Sequence, residues 1–158
     1  MNEYRIGLIS DTHGLMRPEA LRALQGSTHI VHAGDIGKPE ILEALWRIAP
    51  VTVVRGNNDM EDAWAASIPL EAVLRVGEVK VYVVHDIADV PEQLPADIAV
   101  VVTGHSHKPL RKQVHGVLFI NPGSAGPRRF RLPISVGRLR VKGKQVEAEL
   151  VELSLDHQ

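Results

Sequence analysis

Val100-Val101-Val102-Thr103-Gly104-His105-Ser106-His107 is the stretch on which the reading of this chain turns. A β-branched run favours a strand, a glycine ends it, and two histidines follow at a spacing of two. Side chains alternate along extended backbone, so this spacing aims both imidazoles to one side. Open α/β sheets place their ligand sites just outside the carboxyl ends of strands, where two such rings can meet one metal centre. A solvated surface pair would carry the same local pattern. The decision therefore rests on whether other strands end in the same way.

Four others do. Arg5 to Ser10 runs into Asp11-Thr12-His13-Gly14, a carboxylate and an imidazole again two apart, with a glycine that lets the backbone turn sharply. Thr28 to His32 runs into Ala33-Gly34-Asp35-Ile36-Gly37, where glycines flank a carboxylate suited to bridging two ions. Val51 to Val54 runs into Arg55-Gly56-Asn57-Asn58-Asp59, and the neutral amide oxygen of Asn57 can ligate a metal without adding charge. Val79 to Val84 ends in His85-Asp86. Each piece has a plainer reading alone: Asp11 as a helix cap, Gly-Asp and Gly-Asn-Asn-Asp as turns. His29 and His32, within or at the edge of a strand, read as structural.

Between these strands the pattern predicts helices over 18–25, with Ala20, Leu21 and Leu24 inward, and over 39–48, with Ile41, Leu42, Leu45 and Trp46 inward, each opened by a proline. A short helix or loop is expected over 59–66 and a helical turn over 91–94. Strands are expected over 5–10, 28–32, 51–54, 71–76, 79–84, 97–103, 110–114, 117–120, 134–141 and 145–153. The order is β-α-β-α-β and then mostly β. That predicts an α/β fold of two packed mixed β-sheets, a β-sandwich flanked by helices.

Composition narrows the function classes. At 158 residues, with 44% apolar and 23% charged, the chain is long enough for one cored domain over 1–158. No apolar run is long enough for a membrane helix and Met1 to Arg5 lacks a signal-peptide layout, so the expectation is a cytoplasmic protein with no membrane partner. The absence of cysteine removes disulfides, thiolate nucleophiles and Cys-ligated zinc together, leaving His, Asp, Glu and Asn to hold any metal. Eighteen Lys and Arg against nineteen Asp and Glu give a net charge of −1, so attraction for an anionic substrate must be local. With only 4% aromatics and no basic stripe, an extended nucleic-acid track is not expected.

Asp11-x-His13, Gly34-Asp35, Gly56-Asn57-x-Asp59, a lone His85 and Gly104-His105-x-His107, in this order and over almost the whole chain, resemble the calcineurin-like metallophosphoesterases. Small size, Gly-Asn-Asn-Asp and Asn121-Pro122-Gly123-Ser124 make the chain most similar to their compact, single-domain YfcE-like phosphodiesterase branch. The resemblance implies a four-layer α/β/β/α architecture. It puts Asp11, His13 and His107 on one metal ion, Asn57, His85 and His105 on a second, and Asp35 between them, with Asp35, Asn57, Asn58 and Asp59 as the catalytic set. It also implies manganese first among Mn, Ni, Fe, Co, Mg and Zn. The mixed imidazole and oxygen donors suit such ions, and the lack of thiolate weakens the case for zinc.

The expected reaction is in-line attack of a metal-bridging hydroxide on a small phosphoester, with no covalent enzyme intermediate. Two divalent ions, Asp11, Asp35 and a hydroxide leave the centre at about +1, enough to attract a phosphate oxyanion. Two positions depart from the wider family. Asn58 stands where many members carry a histidine that assists the departing alkoxide; an amide is a poor proton donor, which favours activated or cyclic diesters and aryl phosphates over alkyl monoesters. Asp86 stands where a glycine is usual, and could either lower the local charge or hydrogen-bond an imidazole. Arg17, Arg128 and Arg129 are substrate-contact candidates, while Asn121 and Ser124 are expected to fix a loop, and Asp59 to orient its turn. The rival is a metal-binding scaffold of the same fold, since a retromer subunit shares it. The oligomeric state, a homo-oligomer included, is left open.

Overall fold

The computed structural model describes residues 2–155. Two runs of three parallel strands organise it. β1 (Glu3–Ile9), β2 (His29–His32) and β3 (Val51–Val53) lie side by side and parallel, with α1 (Pro18–Leu24) and α2 (Pro39–Trp46) as their crossovers. The second run comes later in the chain, which continues through β4 (Glu71–Val76), β5 (Val79–Val84), β6 (Ile98–Val102), β7 (Leu110–Val114) and β8 (Val117–Asn121). In it β5, β6 and β8 are parallel neighbours. β9 (Ser135–Lys142) and β10 (Gln145–Glu152) return to the first sheet as an antiparallel hairpin against β1. The sheet orders are β10-β9-β1-β2-β3 and β4-β5-β6-β8-β7, both mixed, as the sequence pattern predicts.

The sheets face each other across a core fed by period-two alternation. Ile6, Leu8, Val31, Leu139 and Val141 of the first sheet meet Val76, Val79, Val81, Val83, Val100, Val102, Leu118 and Ile120 of the second. The other face of the first sheet carries Ile9, Ile30 and Val136, and α1 and α2 close over it with Ala20, Leu24, Ile41 and Leu45. Both helices begin at a proline, whose missing N–H is one of the first-turn donors no helix can satisfy. Trp46 departs from expectation. Ile41 and Leu45, four apart, take the inward stripe, and Trp46, one position on, turns outward and is 56% exposed.

The outer face of the second sheet, with Tyr82, Val84, Ile98 and Val101, is covered thinly by Val90 and Leu94. The helical turn expected over 91–94 lies upstream, as a single turn at Ile87–Asp89. Asp86 sets it by accepting the amide of Ala88 at 3.0 Å, while Pro91 and Pro95 prevent its continuation. Residues 59–66 likewise form single turns, Asn57–Asp59 and Ala63–Ala65. Strand limits agree with expectation to within two residues. Among the described residues no helix is long and apolar enough to cross a membrane.

The exits of β1 and β2 are fastened by His32, buried as its position implies. The Gly34 amide donates to its Nδ1 at 3.1 Å, so the ring proton sits on Nε2 and goes to Thr12 Oγ1 at 3.0 Å; that hydroxyl donates to the Ile36 carbonyl at 2.8 Å. Burial lowers the His32 pKa to about 4, against the opposing pull of Asp11 and Asp59. Between pH 6.5 and 4 the unfolded chain takes up this proton and the native ring does not, so the contribution of His32 is lost as pH falls through that window. We expect the stability advantage of the metal-stripped wild type over His32→Gln, read by denaturant unfolding, to shrink by about 3 kcal/mol from pH 6.5 to pH 4. A constant difference across that range would contradict the buried neutral ring.

Candidate metal centre

The carboxyl ends of the two parallel runs meet at one edge of the sandwich. Asp11 and His13 follow β1, Asp35 follows β2, Asn57 follows β3, His85 follows β5, and His105 and His107 follow β6. Five of these seven have a positive φ: Asp11 (56°), His13 (46°), Asp35 (57°), His105 (71°) and His107 (63°). Left-handed backbone costs a non-glycine residue about 1–2 kcal/mol, and such strain collects at functional sites. It is held by main-chain bonds between exit loops: Asp11 N to Gly34 O at 2.9 Å, His13 N to Asp35 O at 2.9 Å, and Gly104 N to His85 O at 2.8 Å.

The side chains converge. Nε2 of His13 and of His107 lie 3.7 and 3.4 Å from Asp11 Oδ1 and 3.3 Å from each other. Nε2 of His85 lies 3.8 Å from the same oxygen and 3.3 Å from Asp35 Oδ2, which is also 3.7 Å from His13 Nε2. Asp35 therefore reaches both the His13 side and the His85 side. On the latter, His105 Nδ1 stands 3.2 Å from Asn57 Oδ1 and its ring centroid 5.3 Å from that of His85. Donors that share one ion at about 2.1 Å stand roughly 3.0–3.5 Å apart; the 3.3 and 3.4 Å separations meet this and the 3.7–3.8 Å ones are slightly wider. Asp11, His13 and His107 form one such group; Asp11, Asp35 and His85 form another.

The fit has an independent sign. Asp11 Oδ1 and His85 Nε2 are buried and have no hydrogen-bond partner, a condition that costs about 1–3 kcal/mol for each group left without a ligand. Their other atoms are committed. Asp11 Oδ2 accepts from Ser10 Oγ at 2.6 Å and from the His105 amide at 3.0 Å. His85 Nδ1 donates to the Ala33 carbonyl at 2.7 Å, leaving a bare lone pair on Nε2. Burial pushes the Asp11 carboxyl up, but the imidazoles of His107, His13 and His85 outweigh it and hold it far below the carboxylate range. Asp35 is also held low: burial raises it, and His85 with the Asn58 amide more than reverses this. His85 moves the other way, as Asp35 and Asp11 overcome its burial. Without an ion the carboxylates stay ionised and favour a proton on the His85 ring, which an ion would displace.

The flanking residues have distinct tasks. Asp59 is buried, and its oxygens accept the amides of Ile36 (3.0 and 3.1 Å), Gly37 (3.2 Å) and Gly56 (3.0 Å). It thus clamps the Asp35 loop to the Asn57 loop, in keeping with the turn-orienting role expected for it. Asn58 donates its main-chain N–H to Asp35 Oδ1 at 2.9 Å, and its amide nitrogen lies 3.3 Å from Asp35 Oδ2 and 3.4 Å from His13 Nδ1. Asn121 donates to the Gly104 carbonyl at 2.9 Å and Ser124 to that of Asp11 at 2.9 Å, the loop-fixing roles expected. Arg17 bonds the Gly126 carbonyl and Arg128 that of Leu132, so the hydrogen bonds of both run to main chain. Asp86 Oδ2 stands 3.6 Å from His105 Nε2. Sequence reasoning passed over Ser10 and read Gly104 only as the end of its strand and part of the Gly-His-x-His motif. A Cβ at Gly104 would overlap Ser10 Oγ and stand 2.7 Å from Asp11 Oδ2, so these two residues shape the Asp11 pocket.

Comparison with known proteins matches residues 4–144 to the calcineurin-like phosphoesterase superfamily domain. A curated "Probable metallophosphoesterase" of Methanothermobacter thermautotrophicus is 32% identical over 161 residues, covering 92% of this chain and 91% of that protein. Among solved structures, YfcE, a phosphoesterase from E. coli, superposes with a TM-score of 0.68 at 24% identity, covering 94% of this chain and 100% of that one. Vps29 of Entamoeba histolytica complexed with Zn2+ gives 0.70 at 23% identity, covering 94% and 98%.

Removing the Asp59 clamp tests how far the centre depends on it. Asp59→Ala leaves the buried amides of Ile36 and Gly56 without an acceptor, so we expect a loss of about 2 kcal/mol or more in denaturant unfolding and weaker metal uptake in calorimetry. Asp59→Asn, which keeps one acceptor oxygen, should fall between. Wild-type stability in the alanine variant would remove the clamp.

Proposed function

The chain belongs to the calcineurin-like phosphoesterase superfamily, and on that footing we propose that residues 1–158 act as one catalytic domain, a dinuclear metal-dependent phosphodiesterase for a small phosphoester. The observation that carries the reading is the pair of buried, partnerless atoms, Asp11 Oδ1 and His85 Nε2, set within 3.3–3.8 Å of the donor atoms of His13, His107 and Asp35. In this proposal Asp11, His13 and His107 hold one ion, Asn57, His85 and His105 the other, and Asp35 lies between them. When bound, two divalent ions lower the pKa of a shared water and stabilise the attacking and leaving oxygens of an in-line displacement.

The residues around the ions decide which esters suit the site. Asn58 is exposed at its edge and tethered to Asp35, so its amide can donate a hydrogen bond to a phosphoryl oxygen. It has no proton to give an alkoxide at neutral pH. The leaving group must therefore be stable as an anion or take its proton from water, which favours activated diesters. Manganese is the first choice of metal for this set of nitrogen and oxygen donors; the Entamoeba Vps29 bound to Zn2+ keeps zinc in view. The likeness to Vps29 in fold also keeps the scaffold reading in play, because fold alone does not carry chemistry.

The deciding experiment strips the protein of metal, resupplies Mn, Ni, Mg, Zn or nothing, and measures hydrolysis of a paired aryl phosphodiester and aryl phosphomonoester. The expected outcome is metal-dependent turnover that favours the diester; a folded protein that turns over neither with any metal supports the scaffold. Asp35→Asn should lower metal-dependent turnover by roughly a thousandfold, and full activity in that variant would end the dinuclear assignment. Asn58→His restores a proton donor and should raise monoester relative to diester turnover by roughly tenfold or more. An unchanged ratio would remove the leaving-group argument.

A further inference from the structure

We propose that Asp86 is a positioning and specificity residue: it orients the His105 ring so that Nδ1 faces the second ion, and its charge biases the centre towards singly charged phosphodiesters. This rests on the dinuclear reading above.

Asp86 directly follows His85 at the end of β5, and its two oxygens have different tasks. Oδ1 accepts the Ala88 amide at 3.0 Å and caps the Ile87–Asp89 turn, which fixes the carboxylate. Oδ2 is thereby turned towards His105 and stands 3.6 Å from its Nε2. The other nitrogen of that ring, Nδ1, lies 3.2 Å from Asn57 Oδ1, which can only accept, so without an ion Nδ1 donates there and an ion would take the place of that proton. His105 thus lies between a fellow ligand on one side and a carboxylate on the other.

The two imidazoles on this side of the centre obtain their tautomers differently. His85 is buried and donates from Nδ1 to a main-chain carbonyl, so its free lone pair is on Nε2. The His105 side chain is 46% exposed and uses the opposite nitrogen. A carboxylate facing its Nε2 favours the ring with the proton there and the lone pair on Nδ1, as in the carboxylate–histidine–metal arrangements that tune many sites. At 3.6 Å the pair is wider than a direct hydrogen bond; a small side-chain rotation or one bridging water completes it.

The charge argument is separate. Two divalent ions with Asp11, Asp35 and a shared hydroxide leave about +1, and Asp86 brings the sum near zero. A phosphomonoester dianion feels that change twice as strongly as a diester monoanion. Because the Asp86 side chain is 33% exposed, water screens part of the effect, and a shift in preference rather than an absolute block is expected.

The test compares the full chain with Asp86→Asn and Asp86→Gly. Asparagine keeps an oxygen for the Ala88 amide and removes the charge, while glycine removes both, so a defect common to the two variants is not the lost turn cap. Calorimetric titration of the metal-stripped proteins with Mn should show the weaker binding step loosened about tenfold in both variants, with the tighter step within twofold of wild type. Nitrogen-15 NMR of the imidazoles in the Zn-loaded proteins at fixed pH should show His105 with its proton mainly on Nε2 in the wild type and spread over both nitrogens in the variants. The diester-to-monoester ratio of kcat/KM should fall about threefold or more. Unchanged binding steps and an unchanged tautomer in both variants would overturn the positioning role, and an unchanged ratio would overturn the charge bias. If the wild type turns over no phosphoester, the charge bias falls with the phosphodiesterase reading, while the titration and spectra still decide the positioning role.

Discussion

The site depends on one buried carboxylate. Asp11 is divided between two duties: Oδ2 is saturated by Ser10 Oγ and the His105 amide, and Oδ1 is bare and faces three imidazoles. A carboxylate cannot be buried half-satisfied without a compensating charge. Contacts with His107 and His13 and the charge of His85 offset part of the burial, which is why Asp11 sits so far below the ordinary carboxylate range. A divalent ion supplies the compensating charge fully, so metal occupancy and the integrity of this corner are coupled. The contact between Asp11 Oδ2 and the His105 amide also joins the exit of β1 to that of β6, and with it the two sheets at their functional edge.

That edge is built at a cost the rest of the molecule offsets. Five left-handed non-glycine residues cost together about 5–10 kcal/mol, the same order as the net stability of a whole domain. The strain persists because the flanking strands are pinned, by the inter-sheet valines and leucines on the inner faces and, over the first sheet, by α1 and α2 on the outer one. Glycine is placed where exit loops touch. Gly56 leaves no room for a Cβ against Asp35, just as Gly104 leaves none beside Ser10, and these contacts let ligands from different strands approach within a few ångströms. Rigid strands with strained exits favour a preorganised set of donors over one assembled when the ion arrives.

The two-sheet fold extends beyond close sequence likeness. The superposition with YfcE and with a Vps29 is nearly complete in extent at under 25% identity, so the two-sheet scaffold is shared by proteins of quite different description. In this chain the strand exits carry the converging donors and the residues that stand beside them. Those neighbours include Asn58, tied to Asp35 and His13, and Asp86, beside His105. Both are exit-loop residues, where substitution changes the chemistry without disturbing the core.

Much of this was legible in the amino-acid sequence, for a definite reason. Strand periodicity and the glycine-bounded polar group after each apolar run are local signals, and local signals survive in one dimension. They fixed the strands to within two residues, the mixed two-sheet class, and the set of seven residues that the structure brings together. What is not local had to wait for the fold. The turn pattern marks Asp59 as an orienting residue but not which amides it clamps, because Ile36 and Gly37 belong to a loop far off in the chain. Trp46 turned outward because Ile41 and Leu45 already filled the stripe facing the sheet. The two options for Asp86 were equal on paper, and only the packing of β5 beside β6 set its carboxylate 3.6 Å from His105. Sequence determined which groups end the strands; tertiary structure decided which of their atoms face one another, since that depends on contacts between residues far apart in the chain.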